Sequence, residues 1–249
     1  TPTAAVRRAY APVPFTAVSI DDVFWAPRLA ANRERTIPIE YDQCKTTGRI
    51  DAIGLDWEPG KPMPHYFWDS DVAKWIEAAA YSLATNPDPA LDALVDEVIT
   101  LYAASQQPDG YVNTHYSTVE QQNRWTNLRD NHELYCAGHL IEAGVAHFQA
   151  TGKRSLLDVV CRYADYIATV FGREDDQKRG YCGHEEIELA LVKLYHATGE
   201  QRYRDLAAYF VDERGAQPHY FDVEAVARGD DPANYHFRTH AYTQSHRPV

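Results

Sequence analysis

A chain of 249 residues that is 45% hydrophobic carries enough apolar surface for a sizeable core, which excludes global disorder. Its net charge of -12 repels phosphate backbones and argues against a nucleic-acid partner, and no apolar run approaches a membrane span. Cys44, Cys136, Cys161 and Cys182 form neither a Cys-x-x-Cys pair nor a zinc-finger spacing, so they read as reduced, mostly buried thiols.

The first 20 residues are rich in Pro and Ala and lack helical periodicity. They read as an N-terminal arm, with Phe15 to Ile20 as a short strand or extended piece. A first helix is expected over Pro27 to Arg35, with Pro at its start. Residues 57–64 hold three prolines and a glycine and read as a loop. From Asp69 onward apolar residues recur at helical spacing. Val72, Trp75, Ile76, Ala79 and Leu83 form one stripe, and Leu91, Leu94, Val95, Val98 and Leu101 the next. Four further stripes centre on Leu140 to Phe148, Leu156 to Val170, Ile187 to Tyr195 and Leu206 to Phe210.

These six helices pair into three hairpins with related turns. Ala84-Thr85-Asn86, Ala150-Thr151-Gly152 and Ala197-Thr198-Gly199 each precede an Asp eight residues past the Ala: Asp92, Asp158 and Asp205. Gly and Asn tolerate the left-handed conformation that closes a helix. A repeated helix pair means a solenoid or a closed toroid. The predicted fold class is all-α, an incomplete (α/α)6 toroid built from helix hairpins. Residues 21–249 would form the N-terminal portion of that barrel, ending before it closes.

Turns inside hairpins are short, whereas connections between hairpins are long and rich in Tyr, Trp, His, Asp and Asn. In an up-and-down toroid the long connections emerge at one rim. Trp68 and Asp69, His132 and Glu133, and His184 and Glu185 should therefore gather at a single mouth, together with Tyr111. A helix N-terminus disfavours imidazolium, so both histidines are expected neutral and suited to sugar hydroxyls. Each cluster also has a plainer reading: Asp69, Ser70 and Asp71 as helix caps, the histidines as interface residues, the tyrosines as helix-packing residues. His132 and His139 are seven apart with no third metal ligand in register, so no metal is assigned. Glu185 and Glu186 are adjacent on a helix and point about 100° apart, so they cannot flank one glycosidic bond.

At these residues the sequence resembles glycoside hydrolase family 127, the β-L-arabinofuranosidases. The matching segments are residues 67–75 (Phe-Trp-Asp-Ser-Asp-Val-Ala-Lys-Trp), 106–112, 132–143 (beginning His-Glu-Leu-Tyr), 183–195 (beginning Gly-His-Glu-Glu) and 198–203. Residues 244–249 look like the segment before the family's next hairpin. The resemblance implies an (α/α)6 barrel followed by β-sandwich domains, and a retaining hydrolase that removes terminal β-L-arabinofuranose. It implies a zinc-bound cysteine nucleophile, in a cluster of three Cys and one Glu, with another Glu as acid/base. Those residues belong to the family's later half, and nothing here matches them.

The resemblance carries over a substrate-binding role to His132 and His184, and by a looser alignment to Gln43. A further substrate-binding His would fall just past Val249. The resemblance together with the site reading thus gives substrate-binding candidates His132, His184, Gln43, Trp68, Asp69 and Tyr111, and no catalytic or metal residue. The expectation is a truncated, inactive copy of a hydrolase for L-arabinofuranosides or related sugars, with zinc in the full-length family but none held by this chain. The rival readings are a non-catalytic carbohydrate-binding toroid and a helical-repeat interaction scaffold. No oligomeric state is assigned. A cytoplasmic location is expected, with a removed signal peptide left open by a start at Thr1.

Overall fold

In a computed structural model the structure describes residues 12–235, so the expectations for residues 1–11 and 244–249 lie outside the described residues. Among the described residues there is no strand, and the elements are helical throughout. Where a strand or extended piece was expected, Phe15–Ala17 form one 3-10 turn closed by Ala17 N–H on the Pro14 carbonyl.

The first helix runs further than Arg35. α1 (Trp25–Ala31) passes through a π-type segment, Asn32–Thr36, into α2 (Ile37–Thr46). Pro38 sits in the first turn of α2, has no N–H to donate, and would crowd the carbonyl four residues back. A wide π turn just before it relieves that crowding. Gly48, at φ 84°, then turns the chain into α3 (Arg49–Ala52).

The three predicted hairpins follow. α4 (Trp68–Thr85) pairs with α5 (Pro89–Ser105), and the short α6 (Thr114–Thr118) lies in the connection beyond. α7 (Glu133–Thr151) pairs with α8 (Ser155–Val170), and α9 (Ile187–Thr198) with α10 (Gln201–Arg214). α11 (Tyr220–Arg228) and α12 (Pro232–Tyr235) complete the described chain. The repeated Thr has a local task in all three turns. Thr85, Thr151 and Thr198 each donate to a carbonyl of the preceding turn of helix, and Thr151 and Thr198 also accept the N–H two residues on. Gly152 and Gly199 adopt the left-handed cap at φ 75°. Asn86 does not; it is extended, and Asp88 caps α5 instead.

Successive hairpins lie side by side, with the first helix of each in the inner row: α7 packs between α4 and α9, while α8 packs on α5 and α7. One continuous core runs through them, from Ile37 and Trp75 to Leu191 and Phe210. Trp75 donates from its ring nitrogen to the Ile37 carbonyl at 3.0 Å, locking α2 onto α4. No described helix is long and apolar enough to cross a membrane.

Candidate functional site

Two long connections, 106–132 and 171–186, meet at the start of α7 and α9. Buried carboxylates fold the first. Glu133 accepts the Tyr111 hydroxyl at 2.6 Å and the Trp125 N–H at 2.6 Å. Glu224, from α11, accepts the Leu128 N–H at 2.7 Å. Burial pushes Glu133 up to about 8, while its two donors and Arg124 pull the other way. Gly183 fastens the second connection to the first through its N–H on the Leu128 carbonyl at 3.1 Å. A Cβ on Gly183 would stand 2.0 Å from the Arg129 carbonyl oxygen, so only glycine permits the approach.

That approach sets His184 against His132, with ring centroids 4.8 Å apart. His132 is held at φ 61°, a conformation rare outside Gly and Asn, and its Nδ1 faces the Asp130 carbonyl. Nδ1–H therefore donates inward and Nε2 keeps its lone pair. Burial holds the His132 pKa below the usual imidazole range, so the ring is neutral at pH 7. The neutral state expected for His132 at a helix N-terminus is reached chiefly through desolvation.

The ring between the imidazoles was not foreseen. Tyr135 lies 5.3 Å from His132 and 4.9 Å from His184. Its hydroxyl receives the Lys74 ammonium at 2.6 Å, leaving the phenolic proton free to donate. The signal was in the sequence: Tyr135 is one turn beyond His132 on the same face, and Lys74 lies on the helix that packs against it. Lys74 also borders a cleft of about 400 Å³ lined by Glu40, Gln43, Arg49 and Asp71. Gln43 lines the same cleft as Lys74, whose ammonium reaches Tyr135.

The other candidates take different places. Trp68 is half-buried beneath the Arg49 guanidinium, 5.1 Å from its ring, and the exposed Phe67 rather than Trp68 faces His132, at 5.8 Å. Asp69 and Tyr111 are both buried and help to hold the connection. Asp69 Oδ2 accepts the Thr114 N–H at 2.9 Å and hydroxyl at 3.1 Å, and burial pushes it up to about 6. Tyr111 is fully buried against Trp125 and Tyr163. An acidic or aromatic residue beside a His looks the same in sequence whether it faces a mouth or the loop's own interior.

Glu185 and Glu186 lie in the turn before α9 rather than on a helix, and they still diverge. Glu185 pairs with Arg214 at 3.1 Å, and Glu186 approaches His139 at 3.2 Å. His139 shares no position with His132; it lies beside Glu142 and Glu186, and Lys193 closes on Glu142. Glu186 is held protonated, up to about 9, by burial and by the Glu142 carboxylate.

The thiols do not fit a zinc–cysteine centre. None of the four joins a metal-capable group among the described residues, and burial raises every one of them, opposite to what a thiolate needs.

An incomplete helical toroid whose mouth gathers two imidazoles, a phenol and an ammonium presents both donors and acceptors to a polar ligand. The family description that matches the chain, over residues 17–249, is "Beta-L-arabinofuranosidase, GH127 catalytic domain". The chain belongs to this GH127 family. It is 42% identical to a non-reducing end β-L-arabinofuranosidase of Bifidobacterium longum subsp. longum, across 93% of this chain and 39% of that protein. It is also similar to the crystal structure of a GH127 β-L-arabinofuranosidase from Geobacillus stearothermophilus T6. That match has a TM-score of 0.82 and 51% identity, over 86% of this chain and 35% of the other. A second GH127 β-arabinofuranosidase structure matches with a TM-score of 0.78 and 41% identity, over 84% and 34%. The chain thus spans well under half the length of the relatives it matches.

Proposed function

We propose that this chain is the sugar-binding part of a glycoside hydrolase acting on terminal β-L-arabinofuranosyl residues, and that the bond-breaking groups lie outside it. His132 Nε2 accepts from one sugar hydroxyl. The Tyr135 hydroxyl, turned outward by Lys74, donates to a sugar oxygen. Gln43 reads a further hydroxyl across the cleft, and Phe67 offers an apolar face. The observation that carries this reading is the 4.8 Å meeting of His132 and His184, two residues 52 positions apart. It is supported by relatives whose printed activity is β-L-arabinofuranosidase.

Two measurements on the 249-residue chain test it. Calorimetry with L-arabinose should show binding that His132→Ala abolishes. Incubation with an aryl β-L-arabinofuranoside should give no turnover. Turnover by this chain would overturn the division of labour, and binding indifferent to His132→Ala would overturn the site.

A further inference from the structure

A second polar constellation stands toward the opposite end of α7 from the mouth, about 22 Å from His132 to His147 by helix rise. Asp92 and Asp96 lie one turn apart on α5, and His147 lies on the last turns of α7. His147 is fully buried, yet neither ring nitrogen has a hydrogen-bond partner. Its Nε2 faces Asp96 Oδ1 at 3.8 Å, beyond hydrogen-bond reach. One ligand atom from each of the three residues lies within 4.8 Å of the others. The Lys153 ammonium, from the hairpin turn, stands 2.7 Å from Asp92 and 2.7 Å from Asp96.

We propose that Asp92, Asp96 and His147 form a binding site for a divalent transition-metal cation of the zinc type, at which the Lys153 ammonium is the counter-ion that the metal displaces. Two facing carboxylates carry two negative charges, and a single ammonium neutralises one of them. The ammonium also leaves the buried imidazole unanswered. A buried polar group with no partner costs free energy, and neither carboxylate is placed to accept from it. A divalent ion answers all three groups at once. Burial keeps His147 neutral, so its lone pair is available.

One imidazole nitrogen and two carboxylate oxygens suit zinc or cobalt, whereas calcium and magnesium prefer oxygen alone. Reaching bond lengths of about 2.0–2.2 Å requires each side chain to move inward by under about 1 Å. The ion enters from the side of Lys153 and Asp96, which are 36% and 43% exposed. Once seated it ties α5 to the end of α7, clasping the first hairpin to the second. The site shares no residue with the sugar mouth, so either reading can fail without the other.

The test uses the 249-residue chain stripped with EDTA. Cobalt(II) chloride should produce visible absorption bands of a nitrogen–oxygen site, and zinc chloride should bleach them and raise the melting temperature. Asp96→Asn, at a partly exposed position, and His147→Gln should each weaken zinc at least about tenfold, while Lys153→Met should tighten it. Asp96→Asn and Lys153→Met decide the matter if the buried His147 variant does not fold. Absence of a cobalt spectrum, or zinc affinity equal in wild type and Asp96→Asn, would overturn the proposal.

Discussion

Gly138 sits on the inner face of α7 where the start of α9 crosses it, and Gly138→Ala isolates what that contact does. An added Cβ would lie 2.7 Å from Glu186 Cγ, 3.1 Å from the Glu186 carbonyl carbon and 3.1 Å from the Ile187 nitrogen. Ordinary carbon contacts are about 3.5–4.0 Å. Two of the three neighbours are backbone atoms at a helix start, so no side-chain rotation clears them. The two elements must separate by roughly half an ångström or more, a strain of about 1–3 kcal/mol. Helix propensity returns about 1 kcal/mol, so the net loss is up to about 2 kcal/mol. Urea denaturation followed by circular dichroism should show a lower midpoint with an unchanged slope. Gly215→Ala, whose Cβ meets nothing closer than the Asp212 carbonyl at 3.6 Å, is the matched control and should stay near neutral. The same displacement moves His184, whose carbonyl accepts the Glu186 N–H at 2.9 Å, so sugar affinity should fall with stability. If Gly138→Ala is as stable as wild type, the close packing of α7 on α9 does not set the mouth.

Two further outcomes follow from the same geometry. Lys74→Met removes the ammonium that orients Tyr135 from an exposed position; L-arabinose affinity should drop about tenfold, near 1.4 kcal/mol, with the melting temperature unchanged, and calorimetry showing equal affinity would remove Tyr135 from the site. Glu133 is raised to about 8 by burial, whereas an unfolded glutamate ionises near its ordinary value of 4.5. Between those values the unfolded chain releases a proton that the folded chain keeps, so stability present at low pH is lost as pH rises toward 8. Melting temperatures from pH 5 to 8 should fall for wild type and fall less steeply for Glu133→Gln; parallel curves would show that Glu133 is not the titrating group.

Periodicity and turn chemistry determined the six long helices and their pairing, because apolar stripes and Thr-Gly closures are local facts of the chain. The resemblance to family 127 was carried by the same residues that close the mouth, and His132 and His184 were legible through their matching place in successive hairpins. Where a side chain points from a long connection is not local. Asp69 and Tyr111 turn inward because the connection must satisfy its own buried backbone and because Glu133 needs donors. Tyr135 and Lys74 join the site only because α4 packs along α7. The extension of the first helix past Arg35 depended on a π turn ahead of Pro38, which departs from the regular 3.6-residue period. His147 meets Asp92 and Asp96 only when two hairpins stack. Sequence spacing fixes which residues share a helix face; the burial of that face against another, and hence which polar groups lose water and must find each other, is decided by packing alone.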